Sequence, residues 1–178
     1  MLVERVALQA VPEYARIDRA VVELAVSRLL HGKAGFERAL NAGFRAMELR
    51  QPCVASFIAT ELTEQEHPRV RELGYFLAVL IFRAFEEAFG PRLAGVGWPD
   101  LHRTALHLVA DSELRSRVRG QTYSEDAIAL GQPALVRRLR GELEHAVGDD
   151  PEIGGTALEQ FYEKLLVVVW VLTHAVLP

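Results

Sequence analysis

The sequence has few of the residues and patterns on which disulfide stabilisation or secretion depends. Cys53 is the single cysteine among 178 residues, so the chain cannot form an internal disulfide. A chain of this kind fits a reducing compartment. Residues 1–18 carry Glu4 and Arg5 among apolar neighbours and lack the basic, apolar, small-residue order of a signal peptide. We therefore expect a cytoplasmic protein.

Motifs that mark nucleotide sites or nucleophilic catalysis are also missing. The chain contains no Gly-x-Ser-x-Gly, no Walker loop and no Gly-x-Gly-x-x-Gly. Gly95-Val96-Gly97 alone is too short a pattern to indicate a nucleotide. We therefore expect no cofactor and favour a non-enzymatic protein over an enzyme.

The chain has neither an excess of positive charge nor a run that suits a membrane. Its net charge is −4, with 20 basic and 24 acidic residues, which argues against nucleic acid as the main partner. Arginines cluster near 115–119 and 137–140, but acidic residues alternate with them, as on a solvated helix face. The most apolar runs fall short of the roughly 18 to 20 residues of a membrane span. We expect neither nucleic acid nor membrane among its partners.

The two most apolar segments predict the centre of the fold. They are residues 71–90, RELGYFLAVLIFRAFEEAFG, and residues 157–178, ALEQFYEKLLVVVWVLTHAVLP. The first is too long for an ordinary strand, carries phenylalanines at helical spacing and stops at Gly90-Pro91. The second has strand-like valines, but Thr156-x-x-Glu159 after two glycines matches a helix capping box. We predict two buried helices that pack near each other.

Apolar periodicity and capping residues place further helices around these two. The predicted helices run from Pro12 to His31, from Phe36 to Arg50, from Pro52, over 101–110, 113–119 and 125–130, and from Pro133. The stretch 90–99, GPRLAGVGWP, lacks a helical pattern and suits a hinge, with Trp98 expected against the core. The predicted fold is all-α, a single domain over residues 1–178 built as a bundle of about seven to nine helices.

The chain also repeats part of itself. Gln51-Pro52 recurs as Gln132-Pro133 at an offset of 81 residues, and Tyr75 aligns with Tyr162 after a longer loop. Each half, about 36–90 and 113–178, contains a helix, Gln-Pro, an amphipathic helix, a loop and a long apolar helix. Because neither long helix can be buried alone, we predict two pseudo-repeated halves that pair. The two glutamines are expected to bond free backbone groups near the helix ends.

Metal binding is the sharpest chemical hypothesis. Glu64-x-x-His67 and Glu142-x-x-His145 both match Glu-x-x-His, the pattern that supplies ligands in di-iron helical bundles. Such bundles place both pairs inside long helices, whereas His67 precedes Pro68 in a turn and His145 lies near a helix end. These four residues are therefore weak metal candidates, and whether a metal is bound stays open.

The remaining reactive side chains are better explained by structure than by chemistry. His107 and Asp111 share a helix face and form a second weak metal candidate, but His102 lies on another face. Cys53 follows Pro52 in the first turn of a helix, yet no histidine is placed to act as its base. His174 lies in the apolar C-terminal helix, where a core or interface histidine is the better interpretation.

The absence of a convergent polar cluster leads to a functional expectation. We expect a soluble helical module that binds a protein partner or forms a homo-oligomer. One alternative is a metal-binding bundle, with or without enzymatic activity. Another is a sensor that holds an apolar ligand between the two apolar helices.

Overall fold

Eight α-helices make up the chain in a computed structural model that describes residues 10–31, 35–115, 124–149 and 155–178. The helices are α1 (Arg19–His31), α2 (Phe36–Arg50), α3 (Pro52–Thr63), α4 (Pro68–Phe89), α5 (Trp98–Arg115), α6 (Ser124–Gly131), α7 (Pro133–Asp149) and α8 (Gly155–His174). Short 3-10 turns precede α1 and follow α4. The described ranges contain no β-strand, so the all-α prediction and the predicted number of helices are confirmed.

Helices α4 and α8 form the centre of the bundle. Every residue from Phe76 to Phe82 in α4 and from Leu165 to Thr173 in α8 is buried. Helix α4 contacts α1, α2, α3 and α8, so its apolar surface is covered on several sides. Burial on all sides explains why the valine-rich α8 is a helix despite its strand-like composition. The two predicted apolar helices are therefore present and in contact.

Glycine permits the close approach of α4 to its neighbours. A Cβ atom at Gly74 would lie 2.5 Å from Phe161 Cε1 of α8 and 2.9 Å from Leu62 Cδ2 of α3. A Cβ at Gly43 of α2 would lie 2.5 Å from Val79 Cγ1 of α4. These distances are shorter than atoms can approach, so both crossings depend on the missing side chain.

The two Gln-Pro junctions are built alike. Gln51 and Gln132 are both buried, and each directly follows the last residue of one helix while the following proline begins the next. Gln51 donates to Ala94 O (2.8 Å) and accepts from Val96 N–H (2.9 Å). Gln132 donates to Ala15 O (2.6 Å) and accepts from Ile17 N–H (3.0 Å). Each glutamine thus holds a distant segment through two backbone groups that are two residues apart.

The glutamines bond backbone groups near helix ends, as predicted. Those groups lie in the segments that precede α1 and α5, which are distant from the glutamines in the sequence. The segment held by Gln132 also explains why α1 begins at Arg19 and not at Pro12. The Ala15 carbonyl and the Ile17 N–H are hydrogen-bonded to Gln132, so they do not take part in helical hydrogen bonds.

The region between the two halves is bonded to the C-terminus. Leu93 and Val176 form an isolated antiparallel bridge, flanked by hydrogen bonds from Ala94 N to Ala175 O (2.9 Å) and from Leu177 N to Arg92 O (2.8 Å). Residues 90–99, predicted as a hinge, are therefore held at Leu93, which is buried.

Two local predictions were wrong. Helix α5 continues through Asp111 to Arg115, and Trp98 begins this helix with 40% of its surface exposed.

Helices α1 to α4 and helices α5 to α8 make parallel sets of contacts. Helix α5 packs on α8 as α1 packs on α4, and α6 packs on α7 as α2 packs on α3. The two sets differ at their third helix, because α3 packs on both α4 and α8 whereas α7 packs on α1. The internal repeat stays a prediction, which these contacts and the two glutamine junctions support.

Over the ranges that the structure describes, all helices are too short or too polar to cross a membrane.

Candidate functional site

A concave surface lies between α1 and α7. It is an open groove of about 560 Å³, and its walls include Arg19 and Glu23 from α1 and Arg137, Arg138, Gly141 and Glu142 from α7. A second depression of about 390 Å³ shares Pro133, Arg137 and Gly141 with this groove. The groove exists because α7 leans on α1 and presents one charged face outward. Its volume is within the range of small-molecule sites, roughly 300–1,000 Å³.

Arg138 organises the acidic side chains of this groove. One of its terminal nitrogens pairs with Glu142, one turn further along α7, and the other lies 3.7 Å from Glu23 of α1. Its Nε atom is buried and has no hydrogen-bond partner among the described residues. Both carboxylates of the groove are thus directed at one guanidinium, which links the two helices.

The other two arginines of the groove are available for a ligand. Arg19 and Arg137 are exposed, lie on opposite walls and make no ion pair with any described residue. Gly141, four residues after Arg137 on α7, also lines the groove, and a Cβ at this position would meet no atom within 4 Å. The groove therefore combines two free positive charges with open space.

A tyrosine and an arginine bind each other beside this surface. Arg140 Nε donates to the Tyr162 hydroxyl (3.0 Å), and its guanidinium also pairs with Glu125 (2.5 Å). Burial raises the pKa of Tyr162, while the hydrogen bond from Arg140 opposes that rise. The same hydrogen bond raises the pKa of Arg140. This contact fastens α7 to α8 and leaves Arg140 less available than Arg19 or Arg137.

A second surface is the outer side of α5. Trp98, His102, Leu106 and Val109 follow each other at intervals of four, four and three residues, which places them on one side of the helix. All four are exposed, Leu106 by 70%, and the Trp98 and His102 rings stack at 5.4 Å. We call these four residues the α5 apolar face. It extends for about 16 Å along the helix.

The predicted metal ligands are spread over several elements. Glu64 lies just after the end of α3 and His67 just before α4, while Glu142 and His145 lie on α7. Glu142 is engaged by Arg138, and the His67 Nδ1 atom is buried without a hydrogen-bond partner. Across the described ranges, no three His, Cys, Asp or Glu side chains form a group that could hold a metal ion.

The other candidates occupy structural positions. His107 and Asp111 are half-buried on α5, and His102 belongs to the α5 apolar face. His174 is exposed at the end of α8, where its ring stacks on Trp170 at 4.1 Å, so it is not a core residue. Cys53 is half-buried and packs against the core, as expected for a small structural residue.

Two features of these surfaces were not predicted from the sequence. The arginines near 137–140 were interpreted as a solvated helix face, because nothing in the sequence brings Arg19 beside them. Trp98 was expected in the core, although its spacing to Leu106 and Val109 could have indicated an exposed side of α5.

Comparison with protein-family models, curated proteins and solved structures finds no match. The function is therefore argued from the residues.

Proposed function

We propose that this protein is a non-enzymatic, cytoplasmic helical docking module, and that the α5 apolar face binds an amphipathic helix of a partner protein. The observation that carries the proposal is the exposure of Trp98, Leu106 and Val109 along one side of a helix whose opposite side packs on α8. Exposed apolar surface in a continuous stripe is typical of protein-binding sites.

The fold itself suggests why the occupant is a helix. The segments held by Gln132 and Gln51 can be aligned by their bonded residues, Ile17 with Val96, which are 79 residues apart. At the same offset, Arg19 and Glu23 of α1 correspond to Trp98 and His102 of α5. On α1 this side lies beside α7, whose Arg138 is 3.7 Å from Glu23. The matching side of α5 is apolar and exposed. A partner helix would lie along α5 as α7 lies along α1.

The residue types also suit a binding surface. Tryptophan and large aliphatic side chains supply much of the binding free energy in helix-in-groove recognition, in which anchors recur at intervals of three and four residues. The stacked His102 ring supports the Trp98 ring from the side. A preformed aromatic anchor loses little conformational entropy on binding.

Site-specific crosslinking tests the proposal. A photo-reactive amino acid replaces Leu106 in cells that make the protein, and the crosslinked protein is identified by mass spectrometry. The complex is then rebuilt from the two purified proteins and its Kd is measured by calorimetry. We expect Leu106→Glu to raise the Kd by at least about tenfold, because a charge would be buried against an apolar helix.

Leu49 provides the matched control. It is an 85% exposed leucine on α2 and does not belong to the α5 apolar face. We expect no specific crosslink from position 49 and an unchanged Kd for Leu49→Glu. A crosslink joining two copies of this chain, or a rebuilt complex insensitive to Leu106→Glu, would overturn the proposal.

A further inference from the structure

The groove between α1 and α7 holds a charge arrangement that the docking proposal does not use. Its acidic residues, Glu23 and Glu142, are both directed at Arg138. Arg19 and Arg137 remain, one on each wall, without an ion pair to any residue that the structure describes. The groove therefore has an excess of positive charge that faces open space.

We propose that this groove binds a small molecule through its anionic group, a carboxylate or a phosphate, held between Arg19 and Arg137. Guanidinium groups form short, charge-assisted hydrogen bonds with both anions, and two of them can contact one group from opposite sides. The remainder of the ligand lies over Pro133, Ala134 and Gly141, which supply apolar surface without long side chains.

One detail of α7 supports a ligand in this place. Gly141 lines the groove although glycine weakens a helix relative to alanine. No neighbouring atom requires a glycine there, since a Cβ would meet nothing within 4 Å. The glycine is explained if a ligand occupies the groove.

Nuclear magnetic resonance on the full chain tests the site with two probes, inorganic phosphate and succinate. Each is titrated at constant ionic strength, and the amide signals of Ala134 and Gly141 are followed. We expect at least one probe to shift these signals along a saturable curve. Saturation with phosphate alone identifies a phosphate-bearing ligand, and saturation with succinate alone identifies a carboxylate-bearing one.

Three variants locate the binding. Arg19→Gln and Arg137→Gln are each expected to raise the Kd of the bound probe about tenfold, since each removes one charge-assisted contact. Gly141→Leu keeps both arginines but fills the groove, and it is expected to abolish the shift at Ala134. Arg103→Gln removes an exposed arginine of α5, whose nearest carboxylate, Asp100, is 3.6 Å away, and should leave the Kd unchanged.

Two results would contradict this proposal. The proposal is wrong if neither probe shifts Ala134 or Gly141. It is also wrong if the Arg19→Gln and Arg137→Gln proteins bind the probe as the Arg103→Gln protein does. These results do not depend on the α5 apolar face, so this proposal and the docking proposal can fail separately.

Discussion

Gln132 is buried and bonded through both ends of its amide. Its nitrogen donates to Ala15 O (2.6 Å) and to Thr173 Oγ1 (3.1 Å), and its oxygen accepts from Ile17 N–H (3.0 Å). We expect Gln132→Ala to lower the free energy of unfolding by about 2–4 kcal/mol, because it leaves a buried carbonyl and a buried N–H without partners. Urea denaturation followed by circular dichroism measures the loss.

Two other glutamines calibrate this prediction. Gln51→Ala removes two backbone contacts and should be less destabilising than Gln132→Ala. Gln65 makes one long hydrogen bond, 3.4 Å to Glu61 O, so Gln65→Ala should change the free energy of unfolding by less than about 0.5 kcal/mol. Equal effects for all three variants would contradict the role assigned to the junction glutamines.

Tyr162 gives the protein a predicted sensitivity to high pH. Burial raises its pKa above the ordinary value of 10.0, and the hydrogen bond from Arg140 offsets only part of that rise. The folded state therefore holds the phenol proton more tightly than the unfolded state. Its contribution to stability is complete below about pH 10 and is lost as the pH rises further. We expect Tyr162→Phe to make the free energy of unfolding fall less steeply between about pH 9.5 and 11.

Tyr75 is the comparison for this pH dependence. Its pKa is also raised, first by burial and then by Glu48, and its hydroxyl donates to Asn41 Oδ1 (3.2 Å). Tyr75→Phe should therefore flatten the same alkaline limb, and the double variant should flatten it most. If the curves of all variants ran parallel to the wild type, the raised pKa of Tyr162 would have no part in stability.

At the level of elements, two helical glycines predict opposite effects. Gly74→Ala places a Cβ 2.5 Å from Phe161 Cε1 at the crossing of α4 and α8. We expect it to lower the free energy of unfolding by about 1–3 kcal/mol, since the packed helices must move apart. Gly141→Ala meets no atom within 4 Å and should raise it by about 0.5–1 kcal/mol.

Chemical denaturation of these two variants also bears on the sensor hypothesis. A cavity for an apolar ligand between α4 and α8 could absorb one methyl group, so Gly74→Ala would then be nearly neutral. The short distances from the Gly74 Cβ position to Phe161 and Leu62 leave no such room at this crossing. A loss of stability together with a gain for Gly141→Ala supports direct packing.

The elements that could be predicted from the sequence are those with local causes. Helix α4 is predicted by its apolar length, α8 by the capping-box pattern at its start, and α3 and α7 by Pro52 and Pro133, which begin helices. The start of α1 could not be predicted, because it depends on Gln132, which is 115 residues from Ile17. The groove is likewise formed by α1 and α7, which are far apart in the sequence. Residue periodicity contains no information about such contacts.

At the level of the whole molecule, the N-terminal part, which contains α1 to α4, and the C-terminal part, which contains Leu93 and α5 to α8, are bonded to each other in both directions. Gln51, in the N-terminal part, holds Ala94 and Val96, which precede α5. Gln132, in the C-terminal part, holds Ala15 and Ile17, which precede α1. Helices α4 and α8, one from each part, also share the central core. Neither part can therefore lose its structure without exposing groups of the other.

These reciprocal bonds predict that a destabilising substitution in one part of the chain destabilises both parts. Met47 of α2 is fully buried, and Met47→Ala should lower the free energy of unfolding by about 2–5 kcal/mol. Both tryptophans of the chain, Trp98 in α5 and Trp170 in α8, lie in the C-terminal part, so their fluorescence reports on that part while far-ultraviolet circular dichroism reports on all helices. We expect Met47→Ala to shift both urea transitions to the same lower midpoint, because one cooperative unit unfolds. A fluorescence midpoint that stays at its wild-type value, with an early transition in circular dichroism alone, would instead mean two domains that unfold independently.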